Sequence, residues 1–148
     1  MLRPLRLLLV LLLSGFALAQ EASHGTAPGF RQVTSTHGVF GYALPADWKK
    51  DGFNSYRGPD GSLIEQIYPP AIITPTYCAS GGPRPDESRV YDNGDVRGCY
   101  VMTRYKNYRH VSFRFPSPKG IEDITIIMPE DKYDAARVKK IIDSVRLR

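Results

Sequence analysis

Two cysteines, Cys78 and Cys99, are the only pair in the chain with an obvious covalent chemistry. With no C-x-x-C spacing they do not read as a redox site, and two thiolates are too few for a cysteine-only metal site. They read instead as one structural disulfide, closing a loop of about 20 residues and adding on the order of 3 kcal/mol in the chain-entropy model. The three histidines, His24, His37 and His110, are not spaced as metal ligands, and no H-E-x-x-H pair occurs. No G-x-S-x-G elbow marks a nucleophile, and no glycine loop stands between a strand and a helix to cradle phosphate. The acidic pair Asp92/Asp95 flanks a turn, where short polar residues are expected, and offers calcium too few oxygens. The chain is therefore read as having no metal, no cofactor and no catalytic residue.

The remaining chemistry is recognition. Tyr100, Arg104, Tyr108, Arg109 and Arg114 fall in one stretch. Tyrosine supplies rigid contact area, and arginine a planar fork for carboxylate or phosphate. The expected hairpin pairs Tyr105 with Val111 and Val101 with Phe115. The loop is then Lys106–His110, and Tyr100, Met102 and Arg104 lie beside Ser112 and Arg114 on an outward, basic face. The plain alternative is a solvated sheet face with arginine stems lying over tyrosines.

The compartment follows from the start of the chain. Arg3 and Arg6, the apolar run Leu7–Leu13 and Ala17-Leu18-Ala19 have the layout of a cleavable export signal over residues 1–19. The run is too short to remain as a membrane span. A periplasmic or secreted location suits a disulfide. The 20 basic and 15 acidic residues give a net +5, or +3 once Arg3 and Arg6 leave with the signal. That mild balance makes no case for nucleic acid.

Residues 20–29 read as a flexible leader and 30–148 as one domain. Strands are expected over Phe30–Ser35, Val39–Leu44, Phe53–Arg57, Ser62–Tyr68, Arg89–Asp92, Asp95–Tyr105, Val111–Phe115 and Ile124–Met128, with a short one at Ile72–Ile73. Gly58-Pro59-Asp60-Gly61 has type I turn chemistry, and Asn93-Gly94 is a strong hairpin signal. Pro69–Glu87 holds five prolines and reads as a long, cross-linked loop. Trp48 reads as a core plug. Asp131–Val145 is the one clear helix, with Ala135, Val138, Ile141, Ile142 and Val145 as its apolar stripe. The fold class expected is α+β, a mostly antiparallel sheet of about six or seven strands with the C-terminal helix packed on one face.

The run Gly38–Leu44 into Pro45-Ala46-Asp47-Trp48, together with Ile141, Ser144 and Arg146 near the end, resembles the PsbP-like superfamily, which includes Mog-type Ran-binding proteins and small exported bacterial proteins. The resemblance implies an α/β/α sandwich variant and a binding or assembly role. It transfers no functional residue. The combined expectation is an exported non-catalytic module, monomer or weak homodimer, engaging a protein or an anionic envelope polymer. An exported inhibitor or immunity protein, with the Pro-rich loop as inserting element, and a hydrolase with scattered catalytic groups are the alternatives.

Overall fold

The apolar run after Gly38 organises the molecule. In a computed structural model, which describes residues 26–67, Cys78 and 84–148, every residue of the strand Phe40–Pro45 is buried. The expected signal (1–19) and the expected strand at Ile72–Ile73 lie outside the described residues, as do most of the leader and of the Pro-rich segment.

Among the described residues, ten strands and one α-helix follow in order: β1 (Phe30–Thr34), β2 (Phe40–Pro45), β3 (Lys49–Lys50), β4 (Ser55–Arg57), β5 (Leu63–Ile67), β6 (Glu87–Asp92), β7 (Arg97–Arg104), β8 (Tyr108–Ser117), β9 (Gly120–Pro129), a 3₁₀ turn (Glu130–Lys132), α1 (Ala135–Asp143) and β10 (Arg146–Leu147). They make two antiparallel sheets, one ordered β1-β2-β10 and the other β3-β4-β5-β9-β8-β7-β6. Among the described residues, no helix is long and apolar enough to cross a membrane.

This corrects the expected fold class. The PsbP-like α/β/α sandwich variant, with one sheet of six or seven strands between helical layers, is overturned by the two sheets, of three and seven strands, and the single α-helix found among the described residues. The reason lies at the C-terminus. The helix stops at Ser144, whose Oγ donates to the Ile141 carbonyl at 2.6 Å and accepts the Ala43 amide at 2.6 Å. Arg146 and Leu147 then pair with Gly41 and Phe40, so the last residues become a strand. The helix also starts later than expected. Asp134 takes the N-cap in an extended conformation and accepts the Arg137 amide, leaving Asp131 in the 3₁₀ turn.

Period-two alternation aims Phe40, Tyr42 and Leu44 at the core. They share one buried cluster with Val138, Ile141, Ile142 and Val145, and with Ile64, Val111, Phe113, Phe115, Ile124 and Ile126 of the large sheet. Each such side chain contributes about 1.5–3 kcal/mol when fully buried. Trp48 plugs the core at 2% exposed, under the Gly58–Gly61 turn. That turn is closed by the Gly61 amide donating to the Gly58 carbonyl at 3.1 Å. Asn93 finishes the β6–β7 turn and reaches across to α1, where its Nδ2 donates to the carbonyls of Ile142 (2.9 Å) and Val145 (3.0 Å).

The β7–β8 register differs from the expected one. Tyr100 faces Phe113, Met102 faces Val111 and Arg104 faces Arg109, so Lys106 and Asn107 alone form the turn. The offset from the expected pairing is an odd number of residues, so it exchanges the faces of β7 relative to β8. A Cβ built on Gly98 would lie 2.7 Å from the Phe113 ring and closer still to the Arg114 carbonyl. Gly98→Ala is therefore expected to destabilise the protein by about 1–3 kcal/mol through overpacking. A lower urea midpoint with an unchanged m-value would show it, and an unchanged midpoint would contradict this register.

Candidate functional site

With this register, Tyr100, Arg104 and Arg109 fall on the face of the large sheet that looks toward α1, together with Glu87, Arg89 and Tyr91 of the edge strand β6. Between that corner of the sheet and the helix lies a cleft of about 240 Å³. Tyr91, Tyr100 and Tyr133 wall it, Val138 and Ile142 floor it, and Glu87, Arg89 and Lys139 stand at its rim.

Arg89 is the central cation. Its guanidinium carbon lies 4.9 Å from the ring centroid of Tyr91 and 4.9 Å from that of Tyr100, so the planar group is held between two aromatic rings. Its Nε donates to Glu87 at 2.7 Å, and both partners of this pair are about half exposed. Beside it, the Tyr91 hydroxyl and Lys139 both donate to Asp143. Burial, and then Asp143, hold the Tyr91 phenol above its ordinary value, so it remains a neutral donor. Tyr100 is pushed further in the same direction, first by burial and then by the Tyr133 hydroxyl next to it. Neither ring ionises at neutral pH, and these two walls carry no charge.

The far end of the site is fixed by a clamp. Arg104 and Arg109 are directly opposed like charges, which would repel. Glu130 offsets this. It accepts Arg109 Nε and Nη2 at 2.8 Å each and stands 3.9 Å from Arg104. The bidentate bond from Arg109 holds the Glu130 carboxyl below its usual range. The Arg109 guanidinium also lies 4.1 Å from the Tyr133 ring centroid, which sets that wall of the cleft.

Of the five residues singled out by sequence, Tyr100 lines the cleft, Arg104 and Arg109 share its face of the sheet and meet at Glu130 outside the cleft lining, and two lie on the other face. Tyr108 is at the hairpin tip on the opposite face, stacked on Tyr105 with centroids 4.6 Å apart. Arg114 also lies on the opposite face, where it donates to Asp123 at 2.7 Å. Asp123 there accepts from Ser112 at 2.9 and 2.8 Å and from Thr125 at 3.1 Å. Ser112, Asp123 and Thr125 are all buried, so this polar cluster is structural; the Ser112 hydroxyl is spent on the carboxylate. Cys99, beside Arg114 on this face, is bonded to Cys78. Among the described residues, no group of three or more His, Cys, Asp or Glu side chains is placed to hold a metal.

The residues missed by sequence are Arg89, Tyr91, Tyr133 and Lys139. Arg89 and Tyr91 carried a usable signal, since alternation within the expected strand puts both on one face. Tyr133 carried none, because its position depends on the helix beginning at Ala135.

His110 shares the outer face with the Asp123 cluster. Burial is the main cause of its lowered pKa; Arg114 acts in the same direction, while Asp123 and Glu65 oppose it. The folded state thus binds its proton less well than the unfolded chain. This contribution to stability is complete above the ordinary histidine value of about 6.5 and is lost as pH falls below it. The urea midpoint is expected to drop between pH 7.5 and 5.5, a span that lies above the ordinary carboxylate values of about 4. The drop should shrink in His110→Gln. An equal drop in both proteins would assign it to another group.

No family model matches the chain, and no curated protein matches it. Among solved structures, a crystal structure from Bacteroides thetaiotaomicron VPI-5482 is similar with a TM-score of 0.48 and 17% identity, over 81% of this chain and 49% of that one. The chain spans about half the length of that protein.

Proposed function

We propose that the protein is an exported, non-catalytic binding module, and that it takes anionic groups of its ligand in the cleft between β6, β7 and α1. One observation carries the reading: the Arg89 guanidinium held between Tyr91 and Tyr100 at the cleft mouth. A stacked guanidinium is oriented before a ligand arrives, which lowers the ordering cost of binding. Its bond to Glu87 is solvent-exposed, and exposed pairs of this kind contribute only about 0–1 kcal/mol, so a ligand carboxylate or phosphate can displace or share it. Arg104, half exposed beside the clamp, extends the positive rim.

Export is supported by the signal-like residues 1–19 and by the disulfide between Cys78 and Cys99. Of the recognition residues expected from sequence, this reading keeps Tyr100, Arg104 and Arg109. It drops Arg114, which neutralises a buried carboxylate, and Tyr108, which lies on the other face.

The test is retention of solubilised cell-envelope material on the immobilised protein at low and high salt. Wild-type protein is expected to retain anionic components in a salt-sensitive manner, and Arg89→Glu to lose at least about tenfold of that affinity, or 1.4 kcal/mol. Circular dichroism would confirm that the variant is folded. Retention that is equal in wild type and Arg89→Glu would remove the cleft from the functional account.

A further inference from the structure

The cleft runs alongside an edge of the large sheet to which, among the described residues, no further strand is paired; the Ser88 side chain of that edge donates to the Cys78 carbonyl at 3.2 Å. The large sheet has two edges, and they differ. At one end β3 is two residues long and both are lysines, which discourages pairing. At the other end β6 is six residues long, contains no proline, and exposes Val90 at 52%.

The direction of the β6 backbone groups can be worked out. The Asn93 amide donates to the Val96 carbonyl at 3.1 Å, which makes this a hydrogen-bonded pair. The β6–β7 register continues unbroken from Asp92↔Arg97 to Glu87↔Met102. Antiparallel pairs alternate, so Tyr91, Arg89 and Glu87 bond inward to β7. The amides and carbonyls of Ser88, Val90 and Asp92 point outward, and among the described residues nothing pairs with them.

We infer that β6 receives an extended segment of a partner protein as an eighth strand, with an acidic side chain of that segment on Arg89. This rests on the binding-module reading and names its partner as a peptide. Strand addition draws affinity from main-chain bonds and specificity from pockets that take alternate side chains. The added residues opposite Arg89 and Tyr91 point to the same face as those two side chains, toward α1. A carboxylate opposite Arg89 comes within cross-strand reach of a guanidinium whose only polar partner among the described residues is Glu87, through Nε. Two positions along, an apolar or aromatic side chain meets Tyr91 and the cleft. Every pair in the large sheet is antiparallel, so an added antiparallel strand runs against β6 and the preferred segment reads, from its N-terminus, apolar, any residue, acid.

The probes are fluorescein-labelled hexapeptides of valine and threonine carrying one phenylalanine and, two residues on toward the C-terminus, one acid. In matched controls the acid is replaced by glutamine or lysine. The acidic peptide is expected to bind about tenfold more tightly than the glutamine peptide, and Arg89→Gln should erase that difference. Val90→Pro removes an outward amide that β7 does not use, so it should leave the unfolding midpoint nearly unchanged and abolish binding of all the peptides. N-methylation of the peptides at alternate amides tests the same bonds without altering the protein: one phase should abolish binding and the other spare it. Failure of every peptide to bind at millimolar concentration overturns the inference, as does binding insensitive to N-methylation in either phase. Envelope retention that needs Arg89 but survives Val90→Pro would leave the binding module standing and remove strand addition.

Discussion

The close approach of Gly98 to Phe113 is the constraint on which the site depends. A methyl group at position 98 would overlap the Phe113 ring, so β7 and β8 can pack this tightly only with glycine there. The approach goes with the pairing of Tyr100 opposite Phe113 and Arg104 opposite Arg109. Because side chains alternate strictly along a strand, that pairing assigns every β7 residue to a face. It puts Tyr100 under the helix and Cys99 on the far side, where it meets Cys78. The side of the sheet on which the cleft forms and the side on which Cys99 meets Cys78 both follow from this one register.

Much of the fold was legible in the sequence. Alternating apolar residues located most strands to within a residue or two, and Asn93-Gly94 and Gly58–Gly61 turned where their chemistry requires. The long helix stripe was also visible, but not its limits. Asp134 competes with the earlier Asp131 for the N-cap, and only the capping bond to Arg137 decides between them. The first two strands of the second sheet were visible as neighbouring strands, but the sheet itself was not, because its third strand, β10, depends on long-range pairing. Arg146 and Leu147 are two residues with no local pattern, and β2 could pair on either side. The site was legible in its composition but not in its geometry. Arginine and tyrosine around residues 100–114 were visible as a cluster of residue types, whereas the face they occupy rested on a register that a five-residue and a two-residue loop set differently.

The two faces of the large sheet use arginine in opposite ways, and magnitudes separate them. Arg114 serves Asp123, a carboxylate only 4% exposed that also accepts from Ser112 and Thr125. Removing one partner of a buried pair typically costs about 3–5 kcal/mol, because the other charge is stranded. No surface ligand gains enough from one guanidinium to offset that. Arg109 is held almost as firmly, bidentate on Glu130 and stacked on Tyr133. Arg89 is the exception. Its ion pair is open to solvent, and its orientation comes from two rings that do not compete for its terminal N–H groups. The same residue type is thus a structural counter-ion at 114, a positioning clamp at 109 and, at 89, the half of an exposed ion pair that the proposed ligand would share. What distinguishes them is how much each would lose by letting go of its present partner.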